Sequence, residues 1–95
     1  MTAADKLTIL KLDLQITTDA YDALLYQMIA AAEEMISREG ITINTDKAED
    51  TQLVVMYAAY LYRQRRDSNP AMPRMLRWAL NNRLFSQKAG GGDAG

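Results

Sequence analysis

Three carboxylates lie close together in the sequence, at Asp46, Glu49 and Asp50. Carboxylates at such a spacing can bind a metal ion or act as a general acid and base. The same positions also begin a segment with helical spacing, where acidic residues cap a helix and complement its dipole. Glu33 and Glu34 are neighbours that diverge on a helix, which indicates a solvated surface. We therefore expect all of these acids to have structural roles.

The residue types that most enzymes use are missing from the chain. It contains no histidine and no cysteine, which removes the commonest general base, thiolate nucleophiles, disulfides and most structural zinc sites. No serine, threonine or lysine has a recognisable activating partner in the sequence, and there is no glycine-rich phosphate loop. We expect no catalytic residue, no cofactor and no metal site, and we predict that the protein is not an enzyme.

Arginine has the clearest binding potential in this chain. Residues 63–88 hold seven bases against the single Asp67, whereas residues 1–50 hold ten acids against four bases. Guanidinium groups bind phosphate and carboxylate equally well, so the basic region can contact nucleic acid or the acidic part of another copy. We favour protein contact, because bases near a helix C-terminus are also expected from the helix dipole. The basic residues are Arg63, Arg65, Arg66, Arg74, Arg77, Arg83 and Lys88.

Two large aromatic residues of the last segment, Trp78 and Phe85, are seven residues apart and lie on one side of a helix. That side also carries Arg74 and Asn81, and it lies away from the predicted core residues. Aromatic and arginine side chains supply much of the binding energy of protein interfaces. We therefore predict an interface here, and ordinary core packing of both rings is the alternative.

An all-α fold is predicted to position these residues. Gly40 is the only glycine before the C-terminal tail, and Pro70 and Pro73 lie close together, so the chain divides into three long segments. Helical spacing of the apolar residues predicts one domain over residues 1–88, a small bundle of three to four helices. The glycine-rich residues 89–95 are predicted to be a disordered tail.

The first two segments differ in how clearly they can be interpreted. Residues 7–16 fit either a helix from about Ala4 or an alternating strand, and we favour the helix. The second segment has unambiguous helical spacing, with Thr17 as its predicted N-cap and Ile16 packing on Tyr21 as a hydrophobic staple. Its predicted apolar stripe consists of Tyr21, Leu24, Leu25, Met28, Ile29, Ala32, Met35 and Ile36.

The second segment ends and the third begins at recognisable signals. Gly40 fits the left-handed position after a helix, where Ile41 can pack back on Ile36. Asp46 and Glu49 resemble a capping box for a third helix that runs towards residue 67. Its predicted main stripe is Leu53, Val54, Met56, Tyr57, Tyr60 and Leu61, and a second stripe consists of Val55, Ala59, Tyr62 and Arg66. A helix with two apolar faces indicates a second packing partner.

The last helix is predicted to begin near the two prolines and to end at about Ser86. Asn69 is a possible N-cap, and either proline is acceptable in the first turn. The predicted core arc consists of Met72, Met75, Leu76, Ala79, Leu80 and Leu84.

Chain length limits what this domain can do alone. With 95 residues and no disulfide, it has a modest core, so oligomerisation is the simplest source of added stability. No apolar run approaches the roughly 20 residues needed to span a bilayer, and no signal peptide is recognisable. We expect a cytoplasmic protein without a membrane segment.

Two stretches resemble the head-tail connector, or adaptor, proteins of tailed phages. The helix that begins Asp22-Ala-Leu-Leu-Tyr-Gln-Met-Ile-Ala-Ala-Ala-Glu-Glu resembles one helix of that family. The ending Asn69-Pro-Ala-Met-Pro-Arg-Met-Leu-Arg-Trp-Ala-Leu-Asn-Asn-Arg-Leu-Phe is similar to the closing motif of the family. The similarity covers approximately residues 5–88, and the Pro-x-x-Leu-Arg-x-Ala-Leu-Asn-Asn-x-Leu-Phe part is the more distinctive.

The resemblance implies a structural virion protein. Such adaptors form a ring, usually dodecameric in the virion, beneath the portal and around a channel through which DNA passes without sequence-specific binding. The implied partners are other copies of the chain, the portal protein and a stopper or tail-completion protein. The implied location is the virion neck, with the host cytoplasm during assembly. By position in the motif, the implied subunit or portal contacts are Arg74, Trp78, Asn81, Asn82, Arg83 and Phe85.

The second stripe and basic end of the third helix add Tyr62, Arg63 and Arg66 to the predicted interface. The alternative is a small helical nucleic-acid-binding or regulatory domain that uses the basic region 63–88. A host-directed adaptor that binds one cellular protein through Trp78 and Phe85 is a third hypothesis.

Overall fold

The structure, a computed structural model, describes residues 2–44, 46–66 and 71–94, with only the backbone of 90–94. These residues form four α-helices and no strand, which confirms the predicted all-α class. In chain order the helices are α1 Ala3–Leu14, α2 Asp22–Arg38, α3 Ala48–Arg66 and α4 Arg74–Ala94. Helices α1, α2 and α3 pack against one another, whereas α4 packs mainly against α3.

Helix α1 resolves the ambiguity of residues 7–16. Its start is fixed by a capping box, in which the Asp5 amide donates to the Thr2 hydroxyl at 3.2 Å and the Thr2 amide donates to the Asp5 carboxylate at 3.0 Å. Leu7 and Leu10 are buried on the same side of the helix. A strand would place these two leucines on opposite faces, so the core selects the helix.

Helix α2 begins later than the sequence indicated. It starts at Asp22 with Tyr21 as N-cap, so the prediction that Thr17 caps it is wrong. The Lys11 ammonium lies 2.9 Å from the carboxylates of both Asp19 and Asp22. These contacts hold the connection between α1 and α2 as a turn, which explains why the helix does not extend back to Thr17.

The body and end of α2 follow the predicted pattern with two exceptions. Tyr21 and Met35, predicted in the apolar stripe, are partly exposed because they lie at its edges. Gly40 has a positive φ of 94° and donates its amide to the Ser37 carbonyl, and Ile41 is buried, which confirms the predicted helix end. The buried stripe consists of Leu25, Ile29, Ala32 and Ile36.

Helix α3 is the centre of the bundle. It begins at Ala48, so Asp46 precedes it and the predicted capping box of Asp46 and Glu49 is wrong. The Asp46 amide instead donates to the Asn44 side chain at 3.0 Å. Both predicted stripes contribute buried residues, among them Leu53, Val54, Val55, Tyr57, Ala59 and Tyr62. The second apolar face is therefore covered within the subunit, and it does not by itself indicate an external partner.

Helix α4 contacts the rest of the subunit through a narrow face. Leu76 and Leu80 are buried, as predicted, but Met75 is exposed because α4 packs mainly against α3 and Met75 lies on the side away from it. The helical backbone continues past the predicted end at Ser86. The predicted cap at Asn69 lies outside the described residues. The predicted tail 89–95 falls mostly on residues without described side chains, and its disorder stays a prediction.

Candidate functional site

The outward side of α4 carries the most exposed cluster of large apolar side chains. Met75, Trp78 and Phe85 are 71%, 67% and 77% exposed. Together with exposed Asn82 they recur at intervals of three, four and three residues, which places them on one side of the helix. We call these four residues the outer face of α4. The sequence indicated Trp78 and Phe85 correctly, and it missed Met75 because it assumed a wider buried arc.

A basic rim runs along one side of the outer face. Arg74, Asn81 and Lys88 are spaced seven residues apart and are all exposed. Neither Arg74 nor Lys88 makes an ion pair with another residue of the described ranges. The outer face and its rim thus combine aromatic groups with unpaired positive charge, which is the composition of a protein-binding hot spot.

The opposite side of α4 is held by a buried ion pair. Arg83 donates from Nε to Asp50 at 2.6 Å, and its terminal nitrogen donates to Asp50 at 3.0 Å and to the Thr42 carbonyl at 2.9 Å. Asp50 is only 1% exposed, and it also accepts the Asn44 amide at 2.7 Å. The hydrogen bonds from Arg83, with that from Asn44, hold the pKa of Asp50 below its ordinary value despite burial.

This ion pair bears on the contact expected of Arg83. The sequence placed Arg83 among the subunit or portal contacts, but its guanidinium is occupied within the subunit by Asp50 and Thr42. Arg83 is therefore already partnered inside the subunit, and the subunit or portal contact expected of it stays a prediction. Asp50 lies in the first turn of α3, as the sequence predicted, and its ion pair with Arg83 also joins α4 to α3.

Two further polar contacts fix the orientation of α4. Arg77 makes a two-point contact with Glu39 at 2.7 and 3.3 Å, which raises the pKa of Arg77. The Gln87 side chain accepts the Thr42 amide at 2.6 Å and donates to the Gly40 carbonyl at 2.8 Å. Because Arg77, Arg83 and Gln87 all point towards α3 and the loop before it, the outer face must point away. No local pattern in the sequence indicates these pairings, which join residues far apart in the chain.

The predicted residues at the end of α3 lie in a separate place. Tyr62 is buried, and Arg66 lies over its ring at 5.8 Å from the centroid. Arg63 is exposed, with a long contact of 3.7 Å to Asp13. Arg65 and Arg66 border an open groove of about 610 Å³ at this end of the bundle. The structure thus divides the predicted interface into an α3 end and an α4 surface.

A second groove lies beside the outer face. It has a volume of about 360 Å³ and lies between α3 and α4, where Leu53, Met56, Trp78 and Ala79 contribute to its lining. Its polar members include Glu49 at the rim. An apolar side chain of a partner can enter here next to Trp78, so the groove extends the surface that α4 offers.

The carboxylates do not assemble into a metal site. Asp46 and Glu49 are exposed, while Asp50 turns inwards to Arg83. No group of three or more acidic residues is arranged to hold a metal ion in the part of the chain that the structure describes. Every helix within the same ranges is too short or too polar to span a bilayer.

No protein-family model, no curated protein and no solved structure matches the chain.

Proposed function

We propose that this protein is a structural subunit that assembles through the outer face of α4. The observation that carries the proposal is the exposure of Met75, Trp78 and Phe85 on one side of a helix whose other side is fixed by Arg83. Covering a large apolar side chain stabilises a contact by about 1.5–3 kcal/mol. Three such side chains beside a basic rim have the composition of a protein-binding hot spot.

We propose further that the assembly is a ring of the phage head-tail connector type. The resemblance in the closing motif supports this, because Asn82 and Phe85 of the outer face are defined positions of that motif. In this function the ring sits beneath the portal in the virion neck, contacts a stopper or tail-completion protein on its other side, and surrounds a channel for DNA. The subunit reaches this place from the host cytoplasm during assembly.

Association of the purified protein, alone and with the portal protein of the phage that encodes it, tests this proposal. Light scattering coupled to size-exclusion chromatography and negative-stain microscopy should show closed rings or a portal-bound collar. Trp78→Ser should abolish both. Leu12→Ser is the matched control, because Leu12 is an exposed apolar residue on α1, and it should leave assembly intact.

The two arms of this experiment are needed together, because adaptors of this type can remain monomeric until they meet the portal. A protein that stays monomeric at high concentration and also ignores the portal contradicts the proposal. Assembly that survives Trp78→Ser contradicts the assignment of the surface.

Nucleic-acid binding is the second candidate function. It is favoured by the exposure of Arg63, Arg65 and Arg66 at the end of α3 beside an open groove. Binding through these residues should weaken steeply with salt, because it releases counterions from phosphates. Fluorescence anisotropy with duplex DNA at low and high salt, repeated with all three arginines replaced by glutamine, distinguishes this function. No binding at low salt removes it.

A further inference from the structure

We infer, on the basis of the proposed self-assembly, that the outer face of α4 packs on the outward side of α2 from a second copy. The outward side of α2 is the one opposite its buried stripe, and its exposed residues include Ala23, Tyr26, Ala30 and Glu34. The contact is therefore between two different surfaces of the same protein.

Pairing of α4 with another α4 is disfavoured by its charges. The basic rim of Arg74 and Lys88 lies on one side of the outer face, while the α4 residues on the other side are the uncharged Ala79 and Ser86. In an antiparallel pair the two rims face each other and repel, and in a parallel pair each rim faces uncharged positions. Within residues 74–89, the part of α4 whose side chains the structure describes, neither arrangement supplies an acid for these bases.

The outward side of α2 is complementary to α4 in size. The outer face of α4 presents the large side chains of Trp78 and Phe85, seven residues apart. Ala23 and Ala30 have the same spacing on α2, and both are exposed. Small residues allow a close approach of the two helices, so that large side chains can pack between them. Tyr26, between these alanines in sequence and partly exposed, adds an aromatic surface.

The two surfaces are also complementary in charge. Glu34, near the C-terminal end of α2, is 66% exposed. Asp19, in the turn before α2, is 91% exposed although it contacts Lys11 at 2.9 Å. Arg74 and Lys88 stand at comparable positions along α4. Among the described residues Glu34 pairs with Arg38, through an exposed contact of a kind worth about 0–1 kcal/mol. Such an acid can readily share a base from a partner.

The arrangement of these surfaces determines the kind of assembly. Helices α2 and α4 each pack on α3, and each presents its outward side away from it. When two subunits meet through different surfaces, the pair still has one unoccupied outward side of α2 and one unoccupied outer face of α4. It therefore propagates from subunit to subunit, and it closes into a ring when the rotation between neighbours permits.

Cysteine cross-linking tests this contact directly, because the natural chain contains no cysteine. The probes are the full chain with Ala30→Cys and the full chain with Asn82→Cys, both at exposed positions. Under mild oxidation, or with a short bis-maleimide, an equimolar mixture should form dimers at least tenfold faster than either variant alone. Gln64→Cys, at an exposed position on α3, is the control partner for both and should cross-link only at the background rate.

Each outcome supports or overturns the inference. Faster dimerisation of Asn82→Cys alone would establish pairing of α4 with α4 and overturn it. Cross-linking of Asn82→Cys only to an added portal protein, or no rate above that of the Gln64→Cys control, would overturn it as well. Rings that form without the mixed cross-link would support the proposed function and reject this contact. A mixed cross-link without rings or portal binding would support this contact and reject the proposed function.

A charge swap provides a second measurement that does not depend on disulfide geometry. Glu34→Lys and Lys88→Glu should each slow the mixed cross-linking severalfold, and their combination in both partners should restore most of the rate. Circular dichroism confirms that the variants are folded. If the combined variant is folded but its cross-linking rate does not recover, the ion pair between Glu34 and Lys88 is rejected.

Discussion

The inner and outer sides of α4 have similar residue types and opposite environments. Both carry large apolar groups and bases within the same few turns. On the inner side Leu76, Leu80 and Arg83 are covered by the rest of the subunit, and Arg83 has a buried acid as partner. On the outer side Trp78 and Phe85 are exposed, and the neighbouring bases have no acid from the described residues. Residue type alone therefore does not separate a buried residue from an exposed one.

The difference lies in which surface meets α3. A helix that packs on one neighbour has one covered side, and its remaining apolar residues stay available for a partner. Substitutions on the inner side should therefore lower the free energy of unfolding, and substitutions on the outer side should affect association instead. Four predictions test this separation, and they follow in order of decreasing effect on stability.

Removal of the arginine partner of Asp50 should have the largest effect. Arg83→Met leaves a buried carboxylate without its cation, which should lower the free energy of unfolding by about 3–5 kcal/mol. Urea denaturation followed by circular dichroism measures this. Arg74→Met is the matched control on the outer side and should change stability by less than about 0.5 kcal/mol. Equal effects of the two variants would contradict the separation of the two sides.

Truncation of a buried leucine on the inner side should come next. Leu80→Ala leaves a cavity against α3 and should lower the free energy of unfolding by about 2–4 kcal/mol. Met75→Ala removes an exposed side chain of similar size and should have little effect on stability. The same denaturation experiment compares them, and a larger loss for Met75→Ala would show that α4 is rotated relative to this structure.

The buried ion pair should make stability depend on acid pH. Hydrogen bonds from Arg83 lower the folded-state pKa of Asp50, so the pair stabilises the protein above the unfolded carboxyl pKa of about 3.9. This contribution is lost as the pH falls through the folded-state pKa. The stability difference between the natural protein and Asp50→Asn should therefore be greatest near neutral pH and shrink on acidification.

Urea midpoints of the natural protein and of Asp50→Asn, measured from neutral to acid pH, provide the comparison. Glu49→Gln, which removes a neighbouring exposed carboxylate, is the control and should follow the profile of the natural protein. A difference between the natural protein and Asp50→Asn that stays constant down to the lowest pH would contradict the role given to Asp50.

Substitution of the exposed aromatics should have the smallest effect on stability. Phe85→Ser should change the free energy of unfolding by less than about 0.5 kcal/mol, because its ring is solvated in the subunit. It should nevertheless reduce association at least tenfold, measured by light scattering at a series of concentrations. A large loss of stability, or unchanged association, would show that the ring belongs to the inner side.

Local patterns were sufficient for much of the fold. The helical class, the apolar stripe of α2 and its end at Gly40 follow from residue spacing and from the backbone freedom of one glycine. The predicted cap at Asp46 failed because the Asn44 side chain competed for the Asp46 amide. The predicted cap at Thr17 failed because contacts of Lys11 and Thr18 hold the chain before α2 as a turn. A cap is decided by such competition, which residue types alone do not reveal.

The candidate site likewise has features that local spacing predicts and features that only packing decides. The sequence alone placed Trp78 and Phe85 off the core face, because helical periodicity fixes which side chains share a side. It could not identify Met75 as exposed, Tyr62 as buried or Arg83 as the partner of Asp50. Those assignments depend on how many neighbours surround each helix and on contacts between residues far apart in the chain. Tertiary packing therefore decided which apolar and basic residues remain free to bind, since only it determines which sides of the helices are already covered.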